Sequence, residues 1–170
     1  MTSTRDTYRS RLYKSERSAL AGTRTITTSS GKLIEIEDSF KFDPKLLKLS
    51  ACQAYVDQLV KSAWFQRRWP IVEHIRVKDG RGARSAYSEY WSSSISLPLW
   101  ARNQAVILHE VAHQCTDSKT RCVAPHGREF AQTLIALVEH KLGKEEAAKL
   151  KAEFTKNRVP WRKARAKVAA

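Results

Sequence analysis

Only three cysteines, Cys52, Cys115 and Cys122, occur among 170 residues. So sparse and odd a set excludes a disulfide-stapled scaffold and points to a reducing cytoplasm. The chain also lacks any apolar stretch near the ~20 residues that a membrane-crossing helix needs, so no span is expected. Its first residues, MTSTRDTYRSRLYKSER, carry charge with no apolar run behind them, so no secretory signal is expected. Internal repeats are missing. A hydrophobic content of 42% with 28% charged residues excludes both a collagen-like chain and a wholly disordered one. At roughly 150 residues per domain, one soluble domain with a real core is expected.

Acidic residues are also scarce: 31 Lys and Arg face 17 Asp and Glu, giving a formal net charge of +14. The excess is uneven. Residues 1–20 hold five basic residues against Asp6 and Glu16, and residues 141–170 hold ten against Glu145, Glu146 and Glu153. Residues 21–140 are therefore only mildly basic. The expected organisation is a flexible basic arm over 1–20, a folded domain over 21–155 and a basic tail over 156–170. Such ends favour solubility and can contact nucleic acid weakly. Trp161, set among Arg162, Lys163 and Arg165, can either stack on bases or fold back on the domain.

Between the ends, Thr25–Thr28 and Lys32–Glu37 read as a hairpin turning at Ser29-Ser30-Gly31. A helix follows, with Ser50 and Gln53 at capping-box spacing, and Trp69-Pro70 stops it. Ile71–Lys78, Arg84–Trp91 and Ser94–Leu97 read as strands. Helical periodicity returns over Ala101–Cys115, His126–Leu142 and Lys144–Phe154, with Phe130, Leu134, Leu137 and Val138 forming one stripe and Ala147, Leu150 and Phe154 another. Gly143 marks a helix stop. This order of elements predicts an α+β fold with a small, mostly antiparallel sheet. Cys52 and the tryptophans at 64, 69, 91 and 100 are expected in the core.

One segment carries chemistry: Val106-Ile107-Leu108-His109-Glu110-Val111-Ala112-His113-Gln114. His109 and His113, four apart on a helix, project from one face and can reach one metal ion. Glu110 beside them can hold a water and take its proton. Neutral nitrogen ligands suit one Zn²⁺ per chain, with a third protein ligand leaving a fourth position open. Chance would produce this pattern about once in a hundred chains of this composition. Glu110 is also the only charged residue between Ala105 and Cys115 apart from the histidines, as expected of a helix buried on all but its metal face.

The third ligand must lie downstream. Met-turn zincins place it six residues after the second His, following a Gly, but Lys119 and Thr116 occupy those positions. Asp117, Cys122, His126, Glu129, Glu139 and His140 remain. His126 is preferred, because Pro125-His126-Gly127 delivers an imidazole at the start of a helix able to reverse onto the first. Glu139 is the runner-up, as thermolysin-like enzymes take a Glu from the next helix. His140 and His74 read as ordinary surface histidines. Tyr87, Tyr90 and Arg128 are candidates to stabilise an oxyanion. Cys115 and Cys122 bracket the loop between the two helices, either as free thiols or as a pair.

HEVAH followed at short range by HGREF resembles the SprT/Spartan-type zinc metallopeptidases, which pair an HExxH helix with a downstream His-Gly-x-x-aromatic. The arrangement is also similar to a small actinobacterial family of HExxH metallohydrolases. The resemblance implies that His109, His113 and His126 are zinc ligands and Glu110 the general base. It further implies a minimal zincin fold whose edge strand, matched here by Ser94–Leu97, binds extended peptide. No zinc-ribbon CxxC pair or DNA-binding module accompanies it. The expected function is thus a cytoplasmic zinc-dependent hydrolase acting on a protein or peptide. Two alternatives stand beside it: a nucleic-acid-associated binding protein with a structural or vestigial metal site, and a mobile-element protein with one dedicated protein target.

Overall fold

The computed structural model describes residues 6–28, 30–38, 46, 48–116 and 123–162. Its first element corrects the expectation of a flexible arm. Arg9–Leu20 forms helix α1, whose buried residues Leu12, Ser15, Glu16 and Leu20 recur at helical spacing. Strands β1 (Gly22–Thr27) and β2 (Leu33–Asp38) form the expected antiparallel hairpin, with Thr27 opposite Leu33 and Gly31 at φ 79° in its turn.

The single helix expected next is two. Helix α2 (Leu49–Val60) ends, and Ser62 in extended conformation caps α3 (Ala63–Arg68) by accepting from the Phe65 amide at 3.2 Å. Lys48, not Ser50, is the N-cap of α2. Gln53 has other work: it accepts from the Val77 amide at 2.7 Å and donates to the Ile75 carbonyl at 3.0 Å, closing the outer edge of the following strand.

That strand is β3 (Arg76–Asp79), followed by β4 (Tyr87–Glu89) and β5 (Ser94–Leu97). The order is β3-β5-β4, with β3 parallel and β4 antiparallel to β5. The sheet is therefore mixed rather than mostly antiparallel. Ser94–Leu97 is its buried centre, not an edge, because partners flank it on both sides. Among the described residues, the edge of this sheet on the motif side is β4.

Three helices complete the fold. Helix α4 (Gln104–Thr116) is buried at every position except Gln104 and His113. It starts where Asn103 Oδ1 accepts from the Val106 amide at 2.9 Å. Helix α5 (Arg128–Lys141) packs on α4, and α6 (Lys144–Lys156) packs on α5 after a turn at Gly143, φ 104°. Helix α1 lies across α6, where Ser15 Oγ donates to the Glu153 carbonyl at 3.2 Å.

The core is one cluster that runs beyond the expected 21–155 domain. It takes in Leu12 and Leu20 before it and Val159 after it. Trp161 packs back on the domain, its indole donating to Thr155 Oγ1 at 3.1 Å. Cys52 is buried as expected, and Trp64 and Trp69 are partly buried, whereas Trp91 and Trp100 are 76% and 56% exposed. No helix among the described residues is long and apolar enough to cross a membrane. The architecture is α+β.

Candidate metal centre

Helix α4 supplies His109, Glu110 and His113, and the turn before α5 supplies His126. That turn is tight: the Gly127 amide donates to the Ala124 carbonyl at 2.9 Å, and a Cβ on Gly127 would meet that oxygen at 3.1 Å. A side chain there would press on Ala124 in the segment that carries His126, which would have to give by a few tenths of an ångström. The ligand-capable atoms of His109, His113 and His126 all lie within 4.8 Å of one another. His109 and His126 are each 4% exposed, and Phe130, fully buried one turn into α5, packs its ring against all three imidazoles at 4.4–5.0 Å.

The hydrogen bonds decide which nitrogens face inward. His109 Nδ1–H donates to both oxygens of Glu16 at 2.8 and 3.0 Å, and His126 Nδ1–H donates to Asp6 Oδ2 at 2.6 Å. Each ring therefore turns Nε2 towards the cluster. His126 Nε2 is buried with no hydrogen-bond partner, an arrangement that is costly unless something else occupies it. His109 Nε2 and His113 Nε2 stand 3.2 Å apart. Two nitrogens bound to one tetrahedral zinc at about 2.0–2.1 Å would stand about 3.3 Å apart, so this pair has the spacing of two ligands to one ion, with His126 within 4.8 Å of both.

The other candidates do not join the cluster. Glu139 pairs with Lys151 at 3.2 Å, His140 stacks on Trp64 with centroids 3.9 Å apart, and Glu129 pairs with Arg128 at 3.3 Å. His74 is exposed. Asp117 and Cys122 lie outside the described residues, and with them any pairing of Cys122; Cys115 is a buried free thiol.

A cavity of about 270 Å³ opens onto Glu110, His113 and His126 and is lined on its far side by Tyr87, Ser88 and Tyr90 of the β4 segment. Two of the oxyanion candidates, Tyr87 and Tyr90, thus border the same cavity, while Arg128 pairs with Glu129. Gln114, the last residue of the motif, donates to Ser88 Oγ at 2.6 Å and to the Ser94 carbonyl at 3.1 Å, which fixes the β4 edge beside the imidazoles. A second cavity of about 200 Å³, walled by Trp100 and Val106, meets the first at Glu110 and Tyr13. Asp6, Arg9, Tyr13 and Glu16 also line these cavities, and all four come from the segment expected to be a flexible arm. Tyr13 stacks on His109 with centroids 5.1 Å apart and meets His126 edge-on at 5.3 Å. The spacing Leu12, Glu16, Leu20 was the available signal.

Burial dominates the electrostatics. It depresses the basicity of His113 well below the ordinary range, helped by the neighbouring imidazoles. In His109 burial acts the same way, but the charge and hydrogen bond of Glu16, joined by the charge of Glu110, outweigh it and the net shift is upward. Burial raises the Glu110 carboxyl to about 7, against the pull of His109 and with the push of Glu16. A carboxyl so raised is poised to exchange protons near neutrality.

A stability consequence follows for the metal-free protein. Between about 4.5 and about 7 the folded state holds the Glu110 proton more tightly than the unfolded chain, so this group's contribution to stability declines as pH rises through that window. Glu110→Gln removes the decline. In urea denaturation with chelator present, its stability relative to wild type is expected to be about 2–3 kcal/mol more favourable at pH 8 than at pH 5.

Comparison with known proteins returns no match to any family model, curated protein or solved structure.

Proposed function

We propose that the chain is a zinc-dependent peptidase of the SprT-like minimal zincin type, working in the cytoplasm, with one Zn²⁺ held by His109, His113 and His126. The observation that carries this reading is the convergence of three imidazoles within 4.8 Å, with Glu110 buried beside them on the wall of a cavity. Zinc bound there would lower the pKa of a water and polarise a scissile carbonyl. Glu110 would take the water's proton and return it to the leaving amine. Tyr13, Tyr87 and Tyr90 are among the residues lining the same cavity, and their hydroxyls are the candidates to donate to the developing oxyanion. An extended peptide would lie along β4, the edge strand of this sheet among the described residues, and pair with it by strand addition.

The experiment is elemental analysis of purified wild type, His126→Ala and Glu139→Ala. Close to one zinc per chain is expected in wild type and in Glu139→Ala, with most of it lost in His126→Ala. Full retention in His126→Ala with loss in Glu139→Ala would move the third ligand. The nucleic-acid alternative draws on the basic ends and Trp161, and it predicts DNA affinity that falls steeply with salt and is indifferent to Glu110→Gln. A mobile-element protein with one dedicated target would share the chemistry proposed here and differ in what it cleaves.

A further inference from the structure

Asp6 and Glu16 are the only acidic residues among the first 20, and both end on the outer nitrogens of clustered imidazoles, 120 and 93 residues away in sequence. We propose that Glu16 and Asp6 are positioning residues of the metal centre, fixing His109 and His126 as Nδ1–H tautomers with Nε2 aimed inward, so that residues 6–20 are a working part of the site. The inference rests on the metal reading above and extends it to a segment that the motif does not contain.

The placement of Glu16 is hard to explain otherwise. It is 2% exposed and sits on the buried stripe of α1 between Leu12 and Leu20, where an apolar residue would serve docking better. Docking is secured elsewhere, by those leucines and by Ser15, which donates to the Glu153 carbonyl and accepts from Asn157 Nδ2 at 3.0 Å. The helix is thus held by its own packing, and the carboxylate is carried to the imidazole by the helix. Tyr13, three residues earlier, lies against the face of the same ring. A ring gripped at its face by one residue and at its Nδ1 edge by another has little freedom left in where Nε2 points. Metal-bound histidines commonly give their second N–H to a carboxylate, which sets the tautomer and raises ligand basicity.

The test is zinc affinity, measured on the full chain by competition with a chromophoric chelator, together with the melting temperature of each protein with and without zinc. Glu16→Gln and Asp6→Asn are each expected to bind zinc about 10–100-fold more weakly than wild type, and Glu16→Ala more weakly than Glu16→Gln, which keeps an acceptor for the Nδ1 proton. Leu59→Ala removes core packing on α2, an element that carries none of these residues, so it should lower the zinc-free melting temperature and leave affinity unchanged. Unchanged affinity in both Glu16→Gln and Asp6→Asn, with wild type holding zinc, overturns the positioning role and leaves the metal reading intact. So does a fall in zinc-free melting temperature with no change in affinity. A wild type that takes up no zinc overturns the metal reading itself, and the positioning role with it.

Discussion

Glu110→Gln is expected to keep its zinc and to lose peptide cleavage by about 10²–10⁴-fold in kcat, with KM little changed. The amide has nearly the shape of the carboxyl, and Glu110 is 4% exposed on a helix buried almost all round, so the backbone and the imidazoles have no reason to move. Glu110 also stands outside the three-imidazole cluster, so its loss subtracts no ligand. What the amide cannot do is accept a proton. In the metal-free protein burial raises the Glu110 carboxyl to about 7, and a zinc ion beside it would pull that value down towards the carboxylate form that accepts a proton. The measurement is kcat and KM on a fluorogenic peptide that wild type cleaves, paired with zinc content. Retained cleavage would remove Glu110 from the base role, and loss of zinc would show a structural part instead.

The metal-capable residues were legible because the constraint on them is local. Two histidines four apart share a helix face whatever the rest of the chain does, and a helix with no other charge than Glu110 has to be buried. His126 was legible for a similar reason: a glycine after it marks a tight turn, and the structure uses that glycine against Ala124. The α5 and α6 stripes, from Phe130 to Val138 and from Ala147 to Phe154, are buried as their periodicity requires. Non-local pairing was not legible. Nothing near Ser94–Leu97 says that β3 will lie parallel along one side and leave β4 as the edge, because that choice is made between strands 18 residues apart in register. Gln53 likewise left its capping-box geometry for hydrogen bonds to β3. The N-terminal helix was hidden by arithmetic: summing charge over residues 1–20 cancels Asp6 and Glu16 against the arginines, and those two carboxylates are the ones that reach the imidazoles.

Phe130→Ala should cost about 3–5 kcal/mol of zinc-free stability and should weaken zinc binding as well. The aromatic in His-Gly-x-x-aromatic has a physical task in this fold. Gly127 begins α5, so Phe130 emerges one turn along the helix, beneath the imidazole delivered by the preceding turn. Its ring centroid lies 4.4 Å from that of His113, 4.9 Å from His109 and 5.0 Å from His126, and it is fully buried. Truncation would leave a void against all three rings, and a cavity costs more than the lost transfer energy alone. Rings without a floor sample more orientations, and the entropy of ordering them then falls on the metal. Leu134→Ala is the control. It lies one turn further along the same stripe and is equally buried, so urea denaturation should show a loss of about 2–5 kcal/mol. As it carries no ring against the imidazoles, its zinc affinity, compared after subtracting any loss of fold, should match wild type. Equal affinities in the two variants would mean that Phe130 serves the core alone, and the orientation of the imidazoles would then rest on Glu16, Asp6 and Tyr13.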